Sequence, residues 1–259
     1  MSGDVSLEIL GTVGWVSLSH PGKLNAMSRT MWRALRAVFQ RIQLDRSIAC
    51  VVVRGEGHFC AGGDISEYAG FRFEEATLRD FHENDVWGGL QAMLDCDVPI
   101  VAQIAGNCMG AGVEIASCCD IRIASETARF GAPIAKLGFP MAPREAALVM
   151  RAVGELTARE MLLSAAVLDA TEMLQRGFLN QVVVAPALEA AVLLCADRIG
   201  QFAPQAARMN KQTFRALAPV SIAQAATDLI ANAYHYASSA EHREGVTAFM
   251  EKRPPRFAP

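Results

Sequence analysis

Along this chain, short unbroken apolar runs alternate with longer stretches whose apolar positions recur every three or four residues. The first pattern predicts strands buried on both faces of a sheet, the second predicts amphipathic helices, and the alternation predicts an α/β fold. Val5–Leu10 and Val13–Leu18 flank Gly11 and predict a β-hairpin. A turn-rich loop, HPGKLNAM (His20–Met27), leads to Ser28, an N-cap for a helix with Met31, Leu35, Val38 and Ile42 on one face. Ile48–Val53 is a continuous apolar strand. Further strands are expected from Ile100 (after a helix finishing over Leu90–Leu94), at Ile121–Ala124 and at Gln181–Val184. Ala128–Gly138 reads as a loop. A helix begins after Pro143, and short helices follow at Ala158–Ser164 and Thr171–Gln175, the last closed by Gly177. From Pro186 onward Ala, Leu, Gln and Arg dominate, and Pro204 and Pro219 break a run of helices. The expectation is an α/β core over residues 1–185 and an all-helical region over residues 186–259.

The chemistry concentrates in Ile100–Asp120, IVAQIAGNCMGAGVEIASCCD, which reads as strand, glycine turn and small-residue helix from Ala111 to Cys118. First-turn N–H groups of a helix have no intrahelical partner and suit a developing negative charge. One acid, Glu114, interrupts that apolar helix. Alone it reads as a structurally tied carboxylate; together with a second glycine cluster it reads as an acid or base. That cluster, GEGHFCAGGDI (Gly55–Ile65), also closes an apolar strand, so two backbone donors are expected to converge on one point. It is neither a dinucleotide fingerprint nor a P-loop. Ser66–Trp87 reads as a weakly periodic helix or flap, with Glu67, Tyr68, Phe71, Phe73, Phe81 and Trp87 as pocket-shaping candidates set against ordinary packing.

Composition narrows the classes. The chain is 52% apolar and 20% charged with a net charge of −3, which describes a globular protein without an electrostatic footprint for nucleic acid or an anionic membrane. Neither a transmembrane span nor a signal-peptide layout is present in the sequence pattern. Seven scattered cysteines read as reduced core thiols, pointing to a cytoplasmic protein, and the five histidines have no metal-ligand spacing. No metal and no cofactor are expected.

HPGKLNAM, FCAGGDI, GNCMGAGVEIASCCDIRIA, FGAP…LGF and EHREGVTAFMEKRPPRF, in this order, resemble the enoyl-CoA hydratase/isomerase (crotonase) family over nearly the whole chain. The resemblance implies a ββα-spiral core, a C-terminal helical trimerisation region, assembly as homotrimer or hexamer, and an acyl-CoA thioester substrate whose coenzyme A enters with it. It also implies an oxyanion hole from the backbone N–H groups of Gly63 and Ala111, where relatives mostly carry alanine and glycine respectively. Glu114 is implied as the general acid/base. Lys23, Leu24, Ala26 and Ile65 match positions that line the CoA path, and Phe249 and Lys252 match contacts near the ribose phosphate made from a neighbouring subunit.

One departure matters. The family's second acid falls where Ile134 stands, in Phe130-Gly131-Ala132-Pro133-Ile134. Glu145 is a candidate substitute acid, weighed against the favoured reading of a surface ion pair with Arg144 at a helix start. An apolar Ile134 should raise the pKa of Glu114. The leading expectation is a hydratase-like lyase or an isomerase. Single-acid decarboxylation or C–C cleavage, and a non-catalytic acyl-CoA-binding scaffold, are the alternatives; RNA binding ranks last.

Overall fold

The computed structural model describes residues 3–217 and 232–257. Strand β1 (Asp4–Leu10) folds back on β2 (Val13–Ser19) through Gly11, whose φ of 62° is left-handed and open to glycine at no cost. Helix α1 (Arg29–Leu44) starts where the Ser28 side chain accepts from Met31 N–H, and buries Met31, Leu35 and Ile42 as the spacing predicts. It returns the chain to β3 (Cys50–Gly55), parallel to β2. A 3-10 turn (Ile65–Gly70), α2 (Glu75–Asp80), a π-helical turn (Phe81–Val86) and α3 (Trp87–Asp95) lead to β4 (Ile100–Ile104).

Then come β5 (Asn107–Met109), α4 (Ala111–Cys118), β6 (Ile121–Ser125) and β7 (Arg129–Gly131). A 3-10 turn at Ile134–Leu137 precedes α5 (Pro143–Val153), α6 (Glu155–Leu163), β8 (Val167–Asp169), α7 (Ala170–Gln175) and β9 (Gln181–Val183). Helices α8 (Leu188–Gly200), α9 (Pro204–Leu217) and α10 (Ala240–Met250) follow. The main sheet has the order β1-β2-β3-β4-β6-β9, parallel apart from the β1–β2 hairpin, and β5-β7-β8 form a small second sheet.

The unbroken apolar strands are explained by two covered faces. Val51, Val53, Ile100 and Ala102 pack into the large core with Leu35, Phe39 and Ile42 of α1. The alternate residues Cys50, Val52 and Val101 face Leu188, Val192 and Ala196 of α8. Two expectations need correction. Ala128–Gly138 is not merely a loop: β7 pairs with β5 and β8, and a 3-10 turn follows. Three-residue strands are too short for a periodic signal, so β7 and β8 escape a pattern-based reading. Pro204 opens α9, whereas Pro219 lies outside the described residues.

Helix α10 lies against the 3-10 turn of its own chain through two glycines. A Cβ on Gly245 would sit 2.2 Å from the Leu137 carbonyl carbon, and one on Gly138 would sit 2.1 Å from the Glu241 oxygen. Helix α9 docks differently, by its polar side. Buried Arg208 donates to the carbonyls of Asp45 and Ile48, Lys211 pairs with Asp120, and Gln212 and Arg215 bond Asp97. Its apolar residues Met209, Phe214 and Leu217 are exposed.

Candidate active site

The loops that follow β3 and β4 are stitched together before they reach the cavity. Cys60 and Cys108 form a parallel bridge, with Cys60 N–H donating to Asn107 O and Met109 N–H to Cys60 O, both at 2.9 Å. Gly112 permits this approach, since a Cβ there would meet the Cys60 oxygen at 2.6 Å. Met27 bridges Gly63 in the same way: Met27 N–H donates to Gly62 O at 2.8 Å and Asp64 N–H to Met27 O at 2.9 Å. In a parallel bridge the middle residue turns its own N–H to the other side. The N–H of Gly63 is therefore left over. Ala111 is the first residue of α4, where an N–H has no intrahelical acceptor. Neither N–H has a protein acceptor among the described residues, and both residues line one cavity of about 610 Å³.

Glu114 lines the same cavity from the first turn of α4. Burial pushes its carboxyl up to about 8, Glu145 adds to the rise, and Arg72 offsets part of it. At neutral pH it is mostly a carboxylic acid, able to give a proton and take it back. Ile134, the position at which the resemblance implies a second acid, also lines the cavity and brings a hydrocarbon to it. Cysteine chemistry is excluded at Cys60, because burial pushes its thiol up to about 12.

The mouth is built from HPGKLNAM. Leu24 and Asn25 adopt left-handed φ of 49° and 60°. Asn25 holds that strained turn by accepting from His20 N–H and donating to the Glu56 and His58 carbonyls. Lys23 Nζ donates to Asp64 at 2.6 Å and to Ser66 at 2.7 Å, and lines the entrance with Leu24, Ala26 and Ile65. Phe249, expected from a neighbouring subunit, lines its own chain's cavity, because the Gly138–Gly245 contact lays α10 across it. Lys252 is not among the lining residues. Its neighbour Arg253 is paired with Glu244 at 2.6 Å and Glu251 at 2.7 Å.

The reading of Glu145 as a surface partner of Arg144 is corrected. Glu145 is 2% exposed, and Arg144 pairs instead with Glu83 at 2.7 Å. Glu145 stands 3.0 Å from Nδ1 of His82, whose Nε2 stands 3.3 Å from Nη2 of Arg72. A carboxylate accepts and a guanidinium donates, so the ring carries its proton on Nδ1 and is neutral. Burial, which lowers the His82 pKa, agrees. Glu145 does not line the cavity; His82 and Arg72 do.

From Ser66–Trp87, Tyr68 and Phe81 also line the cavity, whereas Glu67, Phe71, Phe73 and Trp87 do not. Glu67 accepts from Arg29 N–H at the start of α1, and Phe71 packs in the core. Arg72 and His82 were not foreseen. Their signal was faint: each is a basic residue set among aromatics, Phe71-Arg72-Phe73 and Phe81-His82, which a reading of surface charge passes over. Tyr68 explains the unusual Gly63, since its hydroxyl would lie 2.3 Å from a Cβ there.

A sequence model described as enoyl-CoA hydratase/isomerase matches residues 8–259. The chain belongs to this family. Enoyl-CoA hydratase/isomerase relatives include the "Probable enoyl-CoA hydratase" of Rhizobium meliloti, 31% identical over 97% of this chain and 96% of that one. A solved enoyl-CoA hydratase/carnithine racemase from Magnetospirillum magneticum is 34% identical, covers 98% and 95% of the two chains, and superposes with a TM-score of 0.81. A methylmalonyl-CoA decarboxylase solved with 2-nitronate-propionyl-CoA is 25% identical over 100% and 99%, with a TM-score of 0.87. The chain thus has the crotonase-type α/β core and processes acyl-CoA as a member of this family. No helix among the described residues is long and apolar enough to cross a membrane.

Proposed function

We propose that this enzyme forms an enolate at the α-carbon of an acyl-CoA thioester, with the thioester oxygen held by the N–H groups of Gly63 and Ala111 and the proton moved by Glu114. The observation that carries the reading is the convergence of two unspent N–H groups and one protonated carboxyl on a single cavity. Two such donors stabilise a developing oxyanion by roughly 3–4 kcal/mol each when removed singly. Lys23, Leu24, Ala26 and Ile65 would line the path of the CoA arm, with Phe249 at the rim. No cofactor is required for this proton transfer.

With Ile134, and not a second acid, lining the cavity alongside Glu114, the chemistry best matched is a single-acid reaction: double-bond isomerisation, or decarboxylation followed by protonation of the enolate. Hydration is the second reading, supported by the name of the Rhizobium relative. We also propose that the chain self-associates, as a trimer or hexamer, and works in the cytoplasm.

The test needs no knowledge of the acyl group. Butyryl-CoA incubated with enzyme in D2O should exchange its α-protons, followed by NMR, and Glu114→Gln should slow exchange by about 10²–10⁴-fold. Absence of exchange by the wild-type enzyme would sink the enolate mechanism. Loss of crotonyl-CoA absorbance by water addition, if rapid and dependent on Glu114, would select hydration over the single-acid reactions.

A further inference from the structure

Arg72, a buried residue of the cavity lining, has no carboxylate paired to its guanidinium among the described residues. Arg72 is 1% exposed and lines the cavity. Its guanidinium lies 4.2 Å from the ring centre of Tyr68 and 4.0 Å from that of Phe139. Nη2 donates to His82 Nε2 and to the Tyr236 hydroxyl, both at 3.3 Å, and Nε has no acceptor. Both acceptors are neutral groups. Among the described residues no carboxylate forms an ion pair with Arg72; Glu145, the acid in this network, bonds the far side of the histidine ring.

Burying a cation without a counter-ion is costly, and aromatic faces repay only part of it. A purely structural arginine would be expected to spend its Nε–H and to sit against solvent or a carboxylate. Glu114 does not serve as the partner, since it stays protonated to about pH 8 despite Arg72. The cation is also placed close to the reaction centre. Tyr68 spans the distance: its hydroxyl fills the space beside Gly63, and its ring face carries the guanidinium. Glu145 acts behind this arrangement by fixing the His82 tautomer that accepts from Arg72.

We infer that the substrate's acyl group is short and carries a free carboxylate, and that Arg72 pairs with it inside the cavity. The substrate class is the CoA thioesters of short dicarboxylic acids. This rests on the acyl-CoA reading above, so the test separates the two. Succinyl-CoA and butyryl-CoA have the same chain length and differ in the terminal carboxylate. Their dissociation constants, measured by calorimetry, require no turnover.

The wild-type enzyme should bind succinyl-CoA at least tenfold more tightly than butyryl-CoA. Arg72→Gln should abolish that preference by weakening succinyl-CoA binding at least tenfold more than butyryl-CoA binding, and Arg72→Lys should retain part of it. Equal binding of the two thioesters by the wild-type protein would overturn the inference alone, and needs no variant to fold. Equal weakening of both by Arg72→Gln would also overturn it, in favour of a structural role. If neither thioester binds, the acyl-CoA reading falls and this inference with it.

Discussion

Glu114 is a buried carboxyl at a helix start, in a cavity that Ile134 also lines where the resemblance implies a second acid. Sequence showed the acid in an apolar helix, and Ile134 predicted the direction of its shift. The contribution of Glu145 required the fold. The sign of the linkage is testable. Unfolded, Glu114 ionises in the ordinary range near 4; folded, it stays neutral to about 8. Its contribution to stability is complete below the unfolded value and is lost as pH rises through the folded one. Glu114→Gln, neutral throughout, should gain stability relative to wild type between pH 5 and 9, reaching about 1–4 kcal/mol in urea melts. A difference that does not change with pH would show an ordinary carboxylate. At Gly63, alanine should cost at least about tenfold in activity because its methyl meets the Tyr68 hydroxyl at 2.3 Å. Adding Tyr68→Phe removes that atom and should recover most of the loss in the same exchange assay.

At the level of elements, the strand–glycine–helix units were legible because each feature is local. Ser28 caps α1, Gly110 turns with a φ of 47°, and α4 spans the expected Ala111–Cys118. The region Ser66–Trp87 was not legible, because its short 3-10, α and π turns have no common period. The π-helical turn is the consequential one, since it carries His82. Glycines in the last quarter gave no hint of their role either. Gly245→Ala should push α10 from Leu137, lowering stability by about 1–3 kcal/mol and weakening acyl-CoA binding through the displaced Phe249. Thermal melts and calorimetry on the variant check both; an unchanged melting point would show that α10 is not seated through this contact.

For the whole molecule, α9 is the element out of balance. Its polar side chains hold it to the N-terminal ends of β4 and β6 and to the α1–β3 connection, while Met209, Phe214 and Leu217 are exposed. An exposed apolar stripe on a helix already docked by its other face fits a surface covered by a second copy of the chain. Light scattering should give a mass of three or more chains, and Phe214→Glu with Met209→Glu should reduce it; a monomeric wild-type protein would refute self-association. The sequence by itself determined the α/β alternation, the two glycine turns, Glu114 and the Ile134 departure, because periodicity, capping and φ are properties of neighbouring residues. Only the tertiary structure decided that Glu145 is buried behind His82, that Arg72 lines the cavity with no carboxylate partner among the described residues, and that α10 brings Phe249 to its own chain's cavity. Those facts depend on residues far apart in sequence meeting in space, and no local pattern encodes which charge will be left without a partner.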